Sequence, residues 1–161
     1  MVKDLKYLAR VMPKYGDAIA SDVNRLKGEI SLSIIANVAK RTPVDVGTAR
    51  SNWHVSTAIS ARVRTAFSPF LSRWRPPYGP GGTLAETRNQ AGAVWSASSI
   101  VGKATKAGEP LYISNNLPYI QRLNQGWSNQ APAGFVEAGI NEGVNQAIKR
   151  FTFKDTESVK V

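Results

Sequence analysis

The feature that most constrains this fold is a run of apolar residues at helical spacing. Ile19, Val23, Leu26, Ile30, Ile34 and Val38 follow one another at intervals of 4, 3, 4, 4 and 4 residues. That spacing gathers them on one side of an α-helix and scatters them over both faces of a strand. The helix it predicts covers residues 17–40, with Asp17 and Asp22 early and Lys40 and Arg41 late, as the helix dipole favours. Residues 1–16 read as an N-terminal arm or short helix, with Leu5, Leu8 and Met12 on one face and Pro13 ending it. A long helix with one apolar side has to bury that side against other elements.

The remaining punctuation supplies those elements. Thr42-Pro43-Val44-Asp45-Val46-Gly47 breaks the helix. Alternation of Trp53, Val55, Thr57 and Ile59 predicts a strand over 50–59, and a second is expected over 61–67. Pro69, Pro76, Pro77 and Pro80, with Gly79, Gly81 and Gly82, leave no regular element over 68–83, within a long basic Pro/Gly-rich loop at 61–83. Helical character returns over 84–106, with Leu84, Arg88, Ala91, Trp95, Ser98 and Val101 along one side and Glu109-Pro110 closing it. A short strand is expected at 111–114, a helical turn at 119–124 and a loop at 127–133. The last helix, 132–151, carries Phe135, Ala138, Ile140, Val144, Ala147, Ile148 and Phe151, and 152–161 reads as an extended tail. The expected fold is a single α+β domain. It has a long N-terminal helix, a small antiparallel sheet of three to four strands, and two further helices packed on it.

Little in the sequence can perform catalysis. Cysteine is absent, which removes disulfides, thiolate metal sites and cysteine nucleophiles and suits folding in a reducing cytosol. His54 is the one histidine, and a lone strand histidine is far more often structural than catalytic. The 11 carboxylates are scattered, with no close pair of the kind that glycosidases or hard-metal sites use. Gly79-Pro80-Gly81-Gly82 lacks a following lysine, and Gly102-Lys103 has Ala97 where a phosphate loop needs glycine and Ala104 where it needs a hydroxyl. No serine sits in a nucleophile elbow. The chain is therefore expected to be no enzyme and to hold no cofactor or metal. No apolar run approaches the length of a membrane span, and no membrane partner is expected.

The net charge of +10 is the unusual bulk property, and it favours polyanions, acidic protein surfaces or anionic membranes as partners. Its densest part lies between residues 40 and 78. Lys40, Arg41, Arg50, Arg62, Arg64, Arg73 and Arg75 stand there against the single acid Asp45, interleaved with Trp53, Phe67, Phe70, Trp74 and Tyr78. Three readings of this segment stay open. Arg62, Arg64, Arg73, Trp74, Arg75 and Tyr78 could anchor a protein interface, since Arg, Trp and Tyr dominate interface energetics. The same residues could stack on and track a nucleic-acid strand. Or the aromatics belong to the core and the arginines solvate a face.

Three groups of residues carry a resemblance. They are Lys40-Arg41-Thr42-Pro43-Val44-Asp45-Val46-Gly47-Thr48-Ala49-Arg50-Ser51-Asn52-Trp53, then Leu111-Tyr112-Ile113-Ser114-Asn115-Asn116-Leu117-Pro118-Tyr119-Ile120, then Leu123-Asn124-Gln125-Gly126-Trp127-Ser128 with Gln130-Ala131-Pro132-Ala133-Gly134-Phe135. In this order they resemble the tail-component and tail-completion proteins of tailed bacteriophages, over about residues 17–150. Val46 stands where that family usually has threonine, and Asn124-Gln125 where a glutamate is common; the segment 61–83 is outside the shared pattern. The resemblance implies a structural virion protein, made in the host bacterial cytoplasm, that completes the tail or joins it to the head at the neck. It implies a ring of identical copies, commonly hexameric in such families. Neighbouring partners would be tail-tube, terminator or head-connector proteins, with packaged DNA as a possible contact. The alternative is a basic nucleic-acid-binding protein using 40–78. The matched residues also have turn-forming readings: Thr42, Pro43, Asp45 and Gly47 stop the first helix; Asn115, Asn116, Pro118 and Tyr119 turn the chain after a strand; Gly126 ends a helical turn; and Pro132 and Gly134 introduce the last helix.

Overall fold

The computed structural model describes residues 5–43, 48–58 and 83–155. In chain order these form α1 (Leu5–Arg41), α2 (Thr48–Ser51), β1 (His54–Ser56), α3 (Thr83–Ala107), β2 (Tyr112–Ser114), α4 (Ile120–Asn124) and α5 (Phe135–Arg150). The fold is α+β and mostly helical. β1 and β2 pair antiparallel, with His54 opposite Ser114, Val55 opposite Ile113 and Ser56 opposite Tyr112. Three to four strands were expected, whereas the described residues hold a two-stranded sheet. The strand expected over 61–67 lies outside them. The one expected over 50–59 shrinks to three residues, because the chain is helical at Thr48–Ser51.

Pro13 does not end the first helix. α1 runs through it, so residues 5–16 are part of one 37-residue rod rather than a separate arm. Proline's fixed φ is already helical, and its cost is the bond that the Ala9 carbonyl would have received. Ala9 and Pro13 are both exposed, so water can satisfy that carbonyl.

Burial on α1 does not follow the single apolar stripe. Ile19 and Val23 are exposed, while Gly28, Ser31, Ile35, Val38 and Ala39 are buried. Two helices lie against α1, and each meets it at glycine. A Cβ on Gly28 would stand 2.9 Å from Thr105 Cγ2 of α3. On α5, a Cβ on Gly139 would stand 2.9 Å from the Val38 Cα, and one on Gly143 2.6 Å from the Ile34 Cα. α5 therefore runs antiparallel to the C-terminal half of α1, nearly backbone on backbone. Its inward face is Phe135, Gly139, Gly143 and Ala147 at four-residue intervals, and the expected core residues Ile140 and Ile148 turn outward. α3 likewise presents Ala97, Val101 and Ala104, leaving Trp95 and Ser98 exposed. In both helices the small residues, not the large ones, decide which side faces in, since they allow the closest packing. Trp53 and Val55 complete this core from the sheet side.

Gly108, at φ +72°, ends α3 ahead of the expected Glu109-Pro110. The Glu109 amide reaches back to the Ala104 carbonyl (2.9 Å) and the Gly108 amide to that of Thr105 (3.3 Å), the paired bonds of a Schellman stop. α5 begins at Phe135, with Gly134 at φ +76° ahead of it, so Pro132 lies in the preceding loop and not at the first helical position. After Arg150 the chain leaves the helix and docks back on α1 as an extended segment. Asp22 is fully buried there and accepts from the Lys154 and Asp155 amides (3.3 Å each) while pairing with Arg25. The Arg25 guanidinium lies 4.7 Å from the Phe151 ring centroid and donates to the Thr152 carbonyl at 2.9 Å.

Candidate assembly surface

The residues after α1 are organised around one buried threonine. Thr42 is wholly buried; its hydroxyl donates to the Val38 carbonyl (2.7 Å) and accepts the Trp53 indole N–H (2.8 Å). Arg50, buried and carried in by α2, donates to the Lys40 and Thr42 carbonyls, both at 2.9 Å. A cation on the last carbonyls of a helix satisfies acceptors the helix leaves open and complements its dipole. Asn115, just beyond β2, closes the unit by donating to the Ala49 carbonyl (2.8 Å), while its side-chain oxygen accepts the Leu117 amide in a short turn (3.3 Å). The α2 turn is therefore dictated by where Arg50 has to reach.

A second unit joins α4 to α5. The Asn124 side-chain oxygen accepts the Val136 amide (2.9 Å) and its amide group donates to both Glu137 oxygens (3.0 and 2.9 Å). The Asn124 carbonyl accepts the Gly134 amide (2.8 Å). This is the logic of a capping box, but the cap comes from another element. The Asn124 amide, and next a backbone N–H, hold the Glu137 carboxyl below its ordinary range. Gly126 (φ +91°) ends α4 with a second Schellman pair: the Gly126 amide to the Leu123 carbonyl (3.1 Å) and the Trp127 amide to that of Arg122 (3.3 Å). The Arg122 guanidinium then sits over the Trp127 ring, 5.6 Å from its centroid. Trp127 is largely exposed and Tyr119 is exposed beside the same short helix.

Compared with known proteins, the chain matches no family model, no curated protein and no solved structure.

The residues singled out from sequence fall into three groups. Arg62, Arg64, Arg73, Trp74, Arg75 and Tyr78 lie outside the described residues, as do Asp45 and Gly47. Thr42 and Asn115 both bond to the α2 segment in the first unit, and Gly126 and Gly134 come together with Asn124 in the second. Pro43, Asn116, Pro118, Tyr119 and Pro132 line the turns between. Arg50 and Asn124 hold these units together, and neither was singled out beforehand. Arg50 could have been, as the one cation close behind a proline-broken helix end. Asn124 could not, because its partners in α5 depend on the tertiary path.

His54 sits in β1, where burial pushes its pKa below the ordinary histidine value. No three His, Cys, Asp or Glu side chains among the described residues could hold a metal ion. No helix among the described residues is long and apolar enough to cross a membrane. What stands out is aromatic: Trp127 under Arg122, and Trp95 exposed on α3.

Proposed function

We propose that this chain is a structural component of a tailed-bacteriophage virion, completing the tail or joining it to the head at the neck as a ring of identical copies, and catalysing no reaction. One observation carries the reading. The first two segments that resemble the tail-completion pattern are tied to each other by the bond from Asn115 to Ala49 and the adjoining β1–β2 pairing, and the third closes on α5 through the cap that Asn124 supplies. Where the family pattern commonly has glutamate this chain has Asn124, which caps α5.

Exposed Trp127 with Arg122, and Trp95, provide residue types that anchor protein interfaces. Neighbours in the particle would be tail-tube, terminator or head-connector proteins, and Arg62, Arg64, Arg73 and Arg75 would face packaged DNA. The test is mass spectrometry and electron cryo-microscopy of particles purified from the producing host. The chain is expected in tailed particles, as a ring between tail and head. Its absence from every particle fraction would sink the proposal. The net charge of +10 favours the second reading, a nucleic-acid-binding protein. That reading requires the free chain to bind single strands with an affinity falling steeply between about 50 and 200 mM salt.

A further inference from the structure

The outward side of α3 carries one indole and two ammonium groups in a single stripe. Trp95, Ser99, Lys103 and Lys106 follow one another at intervals of 4, 4 and 3 residues, on the side away from the buried Ala97, Val101 and Ala104. Trp95 is 71% exposed, and the other three are exposed with it. Neither lysine side chain has an ion pair or a hydrogen bond among the described residues. No residue from 94 to 107 is acidic, and Glu109 stands beyond the helix end. There Lys27 of α1 adds a third ammonium, held at the Glu109 carbonyl (2.8 Å). Ser98 and Gly102 flank the stripe without bulk, and nothing lies within 4 Å of where a Gly102 Cβ would stand.

We propose that this stripe binds single-stranded nucleic acid, with a base stacked on Trp95 and nearby phosphates on Lys103 and Lys106. Charge selects the class of partner. Lysines with no acid beside them, on a chain of net charge +10, attract a polyanion and repel a second copy of the same face. The indole then selects among polyanions. Stacking needs an unpaired base, so a single strand uses the whole stripe, whereas a duplex uses the lysines alone. An acidic protein would also meet the lysines. But an indole anchors a protein within a packed, desolvated surround, and the residues sharing the stripe with Trp95 are Ser99, Lys103 and Lys106. Of the exposed indoles, Trp127 is the one left for a protein neighbour. Spacing suits a strand: about 12 Å of helix separates Trp95 from Lys103 and about 16 Å separates it from Lys106. A few nucleotides cover that length with the backbone running along the helix. This site rests neither on the virion reading nor on the basic segment 40–78.

Fluorescence anisotropy of a labelled oligothymidylate titrated with the full chain tests it, at several salt concentrations. W95A should weaken binding roughly 5-fold or more while leaving the salt dependence as in the wild type, because stacking displaces no counterions. K103Q/K106Q should also weaken it, and should flatten the slope of log affinity against log salt by about 1.4, two single-strand phosphate contacts. Both variants should keep the wild-type thermal midpoint, since all three side chains are exposed. In an R62Q/R64Q/R73Q/R75Q background the W95A effect should persist, which separates this site from one built on 40–78. Absence of binding at about 50 mM salt overturns the proposal. So does binding that W95A leaves unchanged, or a duplex of equal length bound as tightly as the single strand, since neither involves a stack. Polyglutamate of matching charge bound equally well, with the same loss in W95A, would also overturn it and give the stripe to an acidic protein surface.

Discussion

At the scale of single residues, the Thr42 hydroxyl does two jobs with one proton and one lone pair, giving the first to Val38 and lending the second to the Trp53 indole. Both groups are out of water, so the loss of either partner leaves a buried polar atom unsatisfied. Thr42→Val keeps the shape and removes the oxygen. It is expected to cost about 1–3 kcal/mol, chiefly by orphaning the indole N–H. Trp53→Phe removes that donor as well, so in the double variant the penalty of Thr42→Val should shrink by about 1 kcal/mol. Urea unfolding of the four proteins measures the coupling; strict additivity would mean the bond contributes nothing. Asn37 shows the same economy within the helix pair, donating to the Ser33 carbonyl (2.9 Å) and to Gln146 (3.1 Å). Among the described residues no buried side-chain nitrogen or oxygen lacks a partner.

At the scale of elements, the packing of α5 on α1 rests on what Gly139 and Gly143 lack. The closest atoms to a Cβ on Gly143 are backbone atoms of Ile34 and Ser33, which cannot rotate aside. Gly143→Ala should therefore destabilise the fold by about 1–3 kcal/mol through forced separation of the helices, although alanine is the better helix former. Gly102, on the exposed side of α3 with nothing within 4 Å of its would-be Cβ, is the control. Gly102→Ala should stabilise by about 0.5–1 kcal/mol. Thermal unfolding of the two variants should move in opposite directions; a stabilised Gly143→Ala would refute the close crossing. Beside this contact Arg41 pairs with Glu142, whose carboxyl Arg41 holds below its ordinary range. That pair is exposed and steadies the edge of the crossing more than it stabilises the fold.

At the scale of the whole molecule, Asp22 ties the end of the described chain to the helix that begins it. Its carboxylate is wholly buried, and its partners come from Arg25 nearby and from Lys154 and Asp155, more than 130 residues away in sequence. The Arg25 side chain is 30% exposed and keeps its bond to the Thr152 carbonyl, so Asp22→Ala chiefly orphans the two amides and is expected to cost about 1–3 kcal/mol. The amides of Lys154 and Asp155 should then exchange with solvent far faster than in the wild type, which hydrogen-exchange NMR would read directly. Unchanged exchange would show that the segment is held by Phe151 and Arg25 instead.

Much of this architecture was legible as local pattern. The apolar stripe over 19–38 marks a helix, the prolines and glycines mark its end and the turns, and the strand ahead of Asn115 stands where a short strand was expected. These are properties of neighbours in sequence, and propensity and periodicity act at that range. Which face of each helix turns inward was not local. Ile140 and Ile148 are larger and more apolar than Gly139 and Gly143, yet the glycines face in, because only they let two backbones meet. The cap Asn124 supplies to another helix and the burial of Asp22 likewise depend on partners brought near by the fold. The sequence by itself determined the long helical segments and the C-terminal end of the first. Tertiary structure alone decided which side chains they hide, since burial depends on how closely two elements can approach and not on the hydrophobicity of either one.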